Sequence, residues 1–147
     1  MAADAKGGSL ITRPIRFSGK YLFVNVNCPE GELAVSVLQD KIGDQYGMKP
    51  HEIAPFLVGN CRVARVNSTL QRIDWKGAPD LAAVAGRTVR FRFELKRGSL
   101  YSFWVSASES GASNGYVAAG GPGFPANRDT VGAAAYEAAS RIAKNRP

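Results

Sequence analysis

The segment Thr88-Val89-Arg90-Phe91-Arg92-Phe93-Glu94-Leu95 alternates without a break between polar and apolar side chains. An extended strand has the two-residue period that sends Val89, Phe91, Phe93 and Leu95 to one face and Thr88, Arg90, Arg92 and Glu94 to the other. Such a strand is half-buried, so the chain must fold with its apolar face against other apolar residues.

Shorter runs of the same kind fill the chain from Leu10 to Ser106, separated by turn residues at intervals of roughly 8–15 residues, the spacing of an antiparallel sandwich. Ser99-Leu100-Tyr101-Ser102-Phe103-Trp104-Val105-Ser106 follows the break at Lys96-Arg97-Gly98, which predicts a hairpin with the first strand. Tyr21–Asn27 and Glu32–Leu38 flank Pro29-Glu30-Gly31 and predict a second hairpin. Arg13–Phe17, Arg62–Val66 and Leu70–Trp75 add three weaker strands. Asp80–Gly86, with an N-cap residue and a terminal glycine, predicts one connecting helical turn. The polar stretch Asp40–Pro55, which carries Tyr46, Met48 and His51, is expected to be a long loop. The fold class expected is all-β: an antiparallel, jelly-roll-like sandwich of about seven to nine strands.

With 147 residues, 45% of them hydrophobic, the chain can bury one core. Residues 1–9 are expected to be a disordered N-terminal segment, 10–126 the sandwich and 127–147 an alanine-rich tail. Gly115–Ala118 reads as a last edge strand, and Val131–Lys144 as a short amphipathic helix or frayed tail. Cys28 and Cys61 lie in apolar, strand-like surroundings, which predicts two buried thiols. No apolar run reaches the ~18 residues of a membrane span, and the first nine residues hold Asp4 and Lys6 instead of a signal-peptide core, so no membrane insertion is expected and localisation stays open.

Catalysis is not expected. His51 is the sole histidine, so any base-orienting triad or two-histidine metal site would have to be built around this one loop residue. There is no HExxH, GxSxG, P-loop or paired-cysteine motif, and no DxDxDG-type run for calcium. The expected inventory is no catalytic residue, no metal and no cofactor, with a structural calcium held by loop carboxylates and carbonyls as the alternative.

Six residues are candidates for ligand binding. Trp75 ends a strand near the sandwich rim, and Trp104 points away from the core if Tyr101, Phe103 and Val105 face it; each is a sugar platform if exposed and packing if covered. Asn25 and Asn27 share a strand face with Tyr21 and Phe23, an arrangement that makes a polar cleft or else satisfies a neighbouring edge. Arg90 and Arg92 stand about 7 Å apart on one face, which is either a row suited to sulfate or carboxylate or a solvated face with Glu94 as partner. Lys+Arg 19 against Asp+Glu 12 gives a net charge of +7, which attracts anionic partners. A glycan bound directly is therefore expected to be anionic and to meet Arg90 and Arg92. A basic nucleic-acid-binding β domain is the alternative, weakened because Phe91 and Phe93 face away from the arginines.

The series Tyr21-Leu22-Phe23-Val24-Asn25, Gly31 to Leu38, Pro55-Phe56 with Asn60-Cys61, Ser68-Thr69, Ile73-Asp74-Trp75, Asp80-Leu81 with Ala85-Gly86, Val89 to Phe93 and Leu100 to Val105 resembles the C-terminal β-sandwich of large bacterial glycoside-hydrolase-like proteins. In that family the sandwich follows a five-bladed β-propeller related to glycosidase families 32 and 43. The resemblance covers roughly residues 9 to 124. Asn67 stands where the family often has Asp before its Ser-Thr pair, and the tail after Gly132 lies outside the pattern. The resemblance implies a non-catalytic carbohydrate-associated domain, either a glycan-binding module or a structural partner of a catalytic propeller. As a partner, the excised domain would expose an apolar patch and self-associate through it.

Overall fold

The computed structural model describes residues 1–40 and 51–112. Among them are the strands β1 (Ala2–Ala3), β2 (Gly8–Ile11), β3 (Tyr21–Asn27), β4 (Glu32–Gln39), β5 (Asn67–Ile73), β6 (Val89–Lys96) and β7 (Gly98–Ser106). They form two antiparallel sheets, one ordered β1-β7-β3-β5 and the other β2-β6-β4. The molecule is an all-β sandwich. Each strand lies in the opposite sheet from the strand before it, the winding of a jelly roll.

Alternation places the core between the sheets. Leu22, Val24 and Val26 of β3 face Leu33, Val35 and Val37 of β4 and Val89, Phe91, Phe93 and Leu95 of β6 across the interior. Phe103 of β7 reaches over to the other sheet, with ring centroids 5.0 Å from Phe93 and 6.0 Å from Phe91. Burial of this kind contributes about 1.5–3 kcal/mol for each large apolar side chain.

Neither expected hairpin forms. β3 pairs with β7 and β4 pairs with β6, so the links Cys28–Gly31 and Arg97 are arches that carry the chain from one sheet to the other. The alternation reports which face a strand buries and is silent on which strand lies beside it. Between β6 and β7 only Arg97 intervenes, in a left-handed conformation (φ 44°), too little chain for a two-residue hairpin turn. The arches touch backbone to backbone. A β-carbon on Gly31 would lie 1.8 Å from the Lys96 carbonyl oxygen, and one on Gly98 would lie 2.6 Å from both the Asn27 carbonyl oxygen and Cys28 Cβ.

Residues 1–9 are ordered where disorder is expected. Ala2 and Ala3 pair with Ser99 and Gly98, and β2 pairs with β6 from Gly8↔Leu95 to Ile11↔Arg92. Backbone partners in two edge positions outweigh the polar, glycine-containing composition. Arg13–Phe17 contributes only the bridge Ile15↔Val89 and Arg62–Val66 only Leu33↔Ala64, whereas the third weak strand begins earlier, at Asn67. The connecting turn stands at Ala82–Val84: Asp80 Oδ1 accepts the Ala82 N–H at 2.7 Å, and Gly86 closes it with φ 75°. The expected edge strand at Gly115–Ala118, the tail helix and residues 41–50 of the expected loop lie outside the described residues.

The remainder of that loop runs beside β4 and closes its free edge. Gln39 donates to the His51 carbonyl, Ile53 donates to Val37, Val37 donates to Phe56, and Leu33 exchanges both bonds with Ala64. Val35 lacks a backbone partner there and is served by two side chains: its N–H donates to Cys61 Sγ at 3.3 Å, and its carbonyl accepts Trp75 Nε1–H at 2.9 Å. An edge closed in this way offers no ladder to another chain. Both cysteines are free and buried, and burial raises the Cys61 thiol pKa, partly offset by the Val35 bond.

Gly31→Ala should destabilise the domain by about 3 kcal/mol or more, because the clash is with backbone. Gly59→Ala, where an added carbon meets nothing within 4 Å, should stay within about 0.5 kcal/mol of the parent. Urea unfolding of both variants measures the difference.

Candidate ligand-binding face

The outer face of the β1-β7-β3-β5 sheet divides at the middle of β3. Val24, Val26 and Cys28 are fully buried, so Asn25 and Asn27 point outward. Both neighbours of β3 bulge at this level. On β5 the register passes from Val24↔Gln71 to Val26↔Ser68, and on β7 from Asn25↔Ser102 to Val26↔Leu100, each with one additional residue. On β7 that residue is Tyr101, which has no partner in β3 and stands 64% exposed. A bulge re-aims side chains, and here it turns an aromatic ring out of the core-facing position expected for it.

Two cross-strand rows result. Asn67, Asn27 and Ser99 form one, and Asn25 with Ser102 forms the next, flanked by Leu70 of β5 and Tyr101 of β7. Cross-strand neighbours stand about 5 Å apart and the two rows about 7 Å. Asn67, Tyr101 and Ser102 are exposed, and Asn25, Asn27 and Ser99 half-buried. None of these six side chains is hydrogen-bonded within the described residues, whereas the Asn60 amide is used by the Pro55 carbonyl at 2.9 Å.

The other half of the same face is covered. Phe23 stacks on Trp104 with centroids 5.7 Å apart, and Trp104 Nε1 donates to the Gly111 carbonyl at 2.9 Å. Gly111 sits against Phe23 and Leu70, with φ 79° and no room for a side chain. Arg72 lies over the Tyr21 ring at 4.7 Å and is bonded to Asp74 at 2.7 Å and to Glu109. Burial pulls the Arg72 pKa down, but Glu109 and Asp74 outweigh it and hold the guanidinium above its ordinary value.

Of the six sequence candidates, Asn25 and Asn27 are thus together on an open face. Trp104 packs beneath the chain at Gly111, and Trp75 is 5% exposed, edge-on to Phe56 at 5.4 Å and bonded to β4, so it offers no platform. Trp75 is buried because the chain folds back along β4 and needs a donor at Val35. Arg90 and Arg92 do share a face, that of the other sheet, but as ion pairs: Arg90 with Asp40 at 3.6 Å, Arg92 with Glu52 and with Glu94 at 3.1 Å. Arg72 is in the opposite sheet, and Arg65 pairs with Glu32. Lys96 bonds Glu32 at 3.1 Å and, with Arg65, holds its carboxyl below the ordinary value.

A cleft lined by Lys20, Tyr21, Arg72, Asp74, Pro79 and Leu81 has room for about 10 Å³, the size of one water. Among the described residues no group of three or more His, Cys, Asp and Glu converges on a point. Comparison of the chain with protein-family models, curated proteins and solved structures finds no match.

Trp75→Phe should cost about 1–3 kcal/mol, the penalty for a buried carbonyl left without its donor, and should leave the Asn25–Tyr101 face unchanged. Urea unfolding followed by circular dichroism, with amide exchange at Val35 and its neighbours, measures both.

Proposed function

We propose that this chain is a non-catalytic, carbohydrate-associated β-sandwich of a glycoside-hydrolase-like protein, and that it works as a glycan-binding module. The observation that carries this is the outer face at the paired bulges, where the amides of Asn25, Asn27 and Asn67 keep their donors and acceptors beside an exposed tyrosine. Amides that bond no other protein group serve the fold little, and sugars are held by this combination: hydroxyls bonded to amides and C–H faces laid on an aromatic ring. An open sheet face suits a polymer that runs past the protein. The likeness of the Tyr21–Val105 series to accessory sandwiches points the same way.

Nucleic-acid binding is less well supported. Phe91 and Phe93 are fully buried and Arg90 and Arg92 are engaged by carboxylates, so the groups that would stack on bases and bond phosphates are already occupied.

A structural-partner role has its own observation. Leu10 and Ile11 are 37% and 41% exposed on β2, an edge strand of its sheet. If they pack on a neighbouring domain, the excised chain should dimerise in sedimentation at high concentration and Ile11→Lys should abolish it.

A glycan array holding neutral, uronic and sulfated polysaccharides should give saturable binding by the homogeneous chain, with no release of reducing ends. Tyr101→Ala should weaken the signal about tenfold, the size of a central aromatic contact. Hydrolysis of any glycan on the array by the pure chain would contradict the non-catalytic assignment.

A further inference from the structure

From the charge distribution over the two outer faces, and resting on the glycan-binding assignment above, we infer that the ligand is a neutral saccharide held by Tyr101, Asn25, Asn27 and Asn67. The face around the paired bulges lies along Asn67–Leu70 of β5, Asn25–Asn27 of β3 and Ser99–Ser102 of β7, of which Val26 and Leu100 turn into the core. None of these residues is ionisable near neutral pH, in a chain of which 21% is charged and whose net charge is +7. An anionic polymer would find no cation among them. A neutral polyol needs none, since its hydroxyls both donate and accept and so match carboxamides, which also do both.

The opposite face argues the same way. Its guanidinium groups were the reason to expect an anionic ligand, and each already has a carboxylate beside it: Asp40 lies 3.6 Å from Arg90, which also donates to the Thr12 carbonyl, and Glu52 and Glu94 flank Arg92. An anion arriving there must displace carboxylates that are already bonded. The side chains of Arg90 and Arg92 are about one-fifth exposed, so the exchange would also take place away from bulk water.

The geometry assigns roles. Tyr101 supplies the stacking surface on β7. Asn25 lies across from Ser102 one strand away, and the Asn67-Asn27-Ser99 row lies one pleat further along. A sugar ring on Tyr101 therefore has amide partners on one side, at separations of about 5–7 Å that suit hydroxyls across a ring or on successive residues of a polymer.

Affinity gel electrophoresis of the whole chain tests this, with xylan, galactomannan and mixed-linkage β-glucan as neutral probes and alginate, polygalacturonate and dextran sulfate as anionic ones. Retardation by at least one neutral probe is expected, unchanged when salt is raised several-fold, because no charge pair is screened. Tyr101→Ala, and separately Asn25→Ala with Asn27→Ala, should each weaken it about tenfold, while Arg90→Ala with Arg92→Ala leaves it intact. The exposed Tyr101 is not a core residue, and circular dichroism of each variant controls for folding. Retardation by anionic probes alone, lost in the arginine variant or in high salt, would overturn the neutral assignment and keep the glycan-binding one. Neutral binding indifferent to Tyr101, Asn25 and Asn27 would overturn the site. No retardation by any probe would overturn both the inference and the assignment beneath it.

Discussion

Two arches occupy the same end of this sandwich and meet with nothing but backbone between them. Gly31 lies against the Lys96 carbonyl and Gly98 against Asn27 and Cys28, so each crossing is possible only because the other carries a glycine at the contact. The contact sets the exchange of partners: β3, which leaves through the first arch, pairs with β7, which enters through the second, while β4 and β6 pair in the opposite sheet. Those two ladders hold the aromatic and aliphatic core between them. With larger residues at the arches the four strands would be forced apart where the core is continuous.

The outward faces differ because they are finished differently. On the β2-β6-β4 side the polar half of the alternating strand is tied into carboxylates from β6 itself and from the chain on either side of the long loop, Asp40 and Glu52. Such pairs contribute modestly when exposed, but they leave neither Arg90 nor Arg92 without a carboxylate beside it. On the β1-β7-β3-β5 side one half is sealed by the chain from Ser108 to Gly111 lying over Phe23 and Trp104, with Arg72 fastening Glu109. The other half stays open, and the side chains of its two cross-strand rows are uncharged and make no hydrogen bond among the described residues.

The candidate site was half legible. Asn25 and Asn27 are amides on the outward face of an alternating strand, where the sequence leaves two uses open, a polar cleft or the satisfaction of a neighbouring edge. Tyr101 was misread because strict alternation puts it on the same face as Phe103 and Val105. A signal was nonetheless available: Leu100 and Phe103 are both strongly apolar and three residues apart, which cannot share a face unless one extra residue intervenes. The tryptophans were over-read for a different reason. Composition marks an indole as a potential platform, and only the path of the chain beside β4 reveals that the Trp75 N–H is needed by Val35.

What this sequence determined by itself is therefore local: which segments are extended, which of their faces is apolar, where the glycines break the chain, and that the result is an all-β sandwich. These follow from a backbone whose side chains alternate at a fixed period, whatever lies beside them. Tertiary structure alone decided that neighbours in sequence would part into opposite sheets, that residues 1–9 would find edges to pair with, that the arginines would meet carboxylates, and that two bulges would coincide at Asn25. Those outcomes depend on contacts between residues far apart in the chain, where the energy of a pairing is set by what the rest of the fold brings opposite, and no local period encodes that.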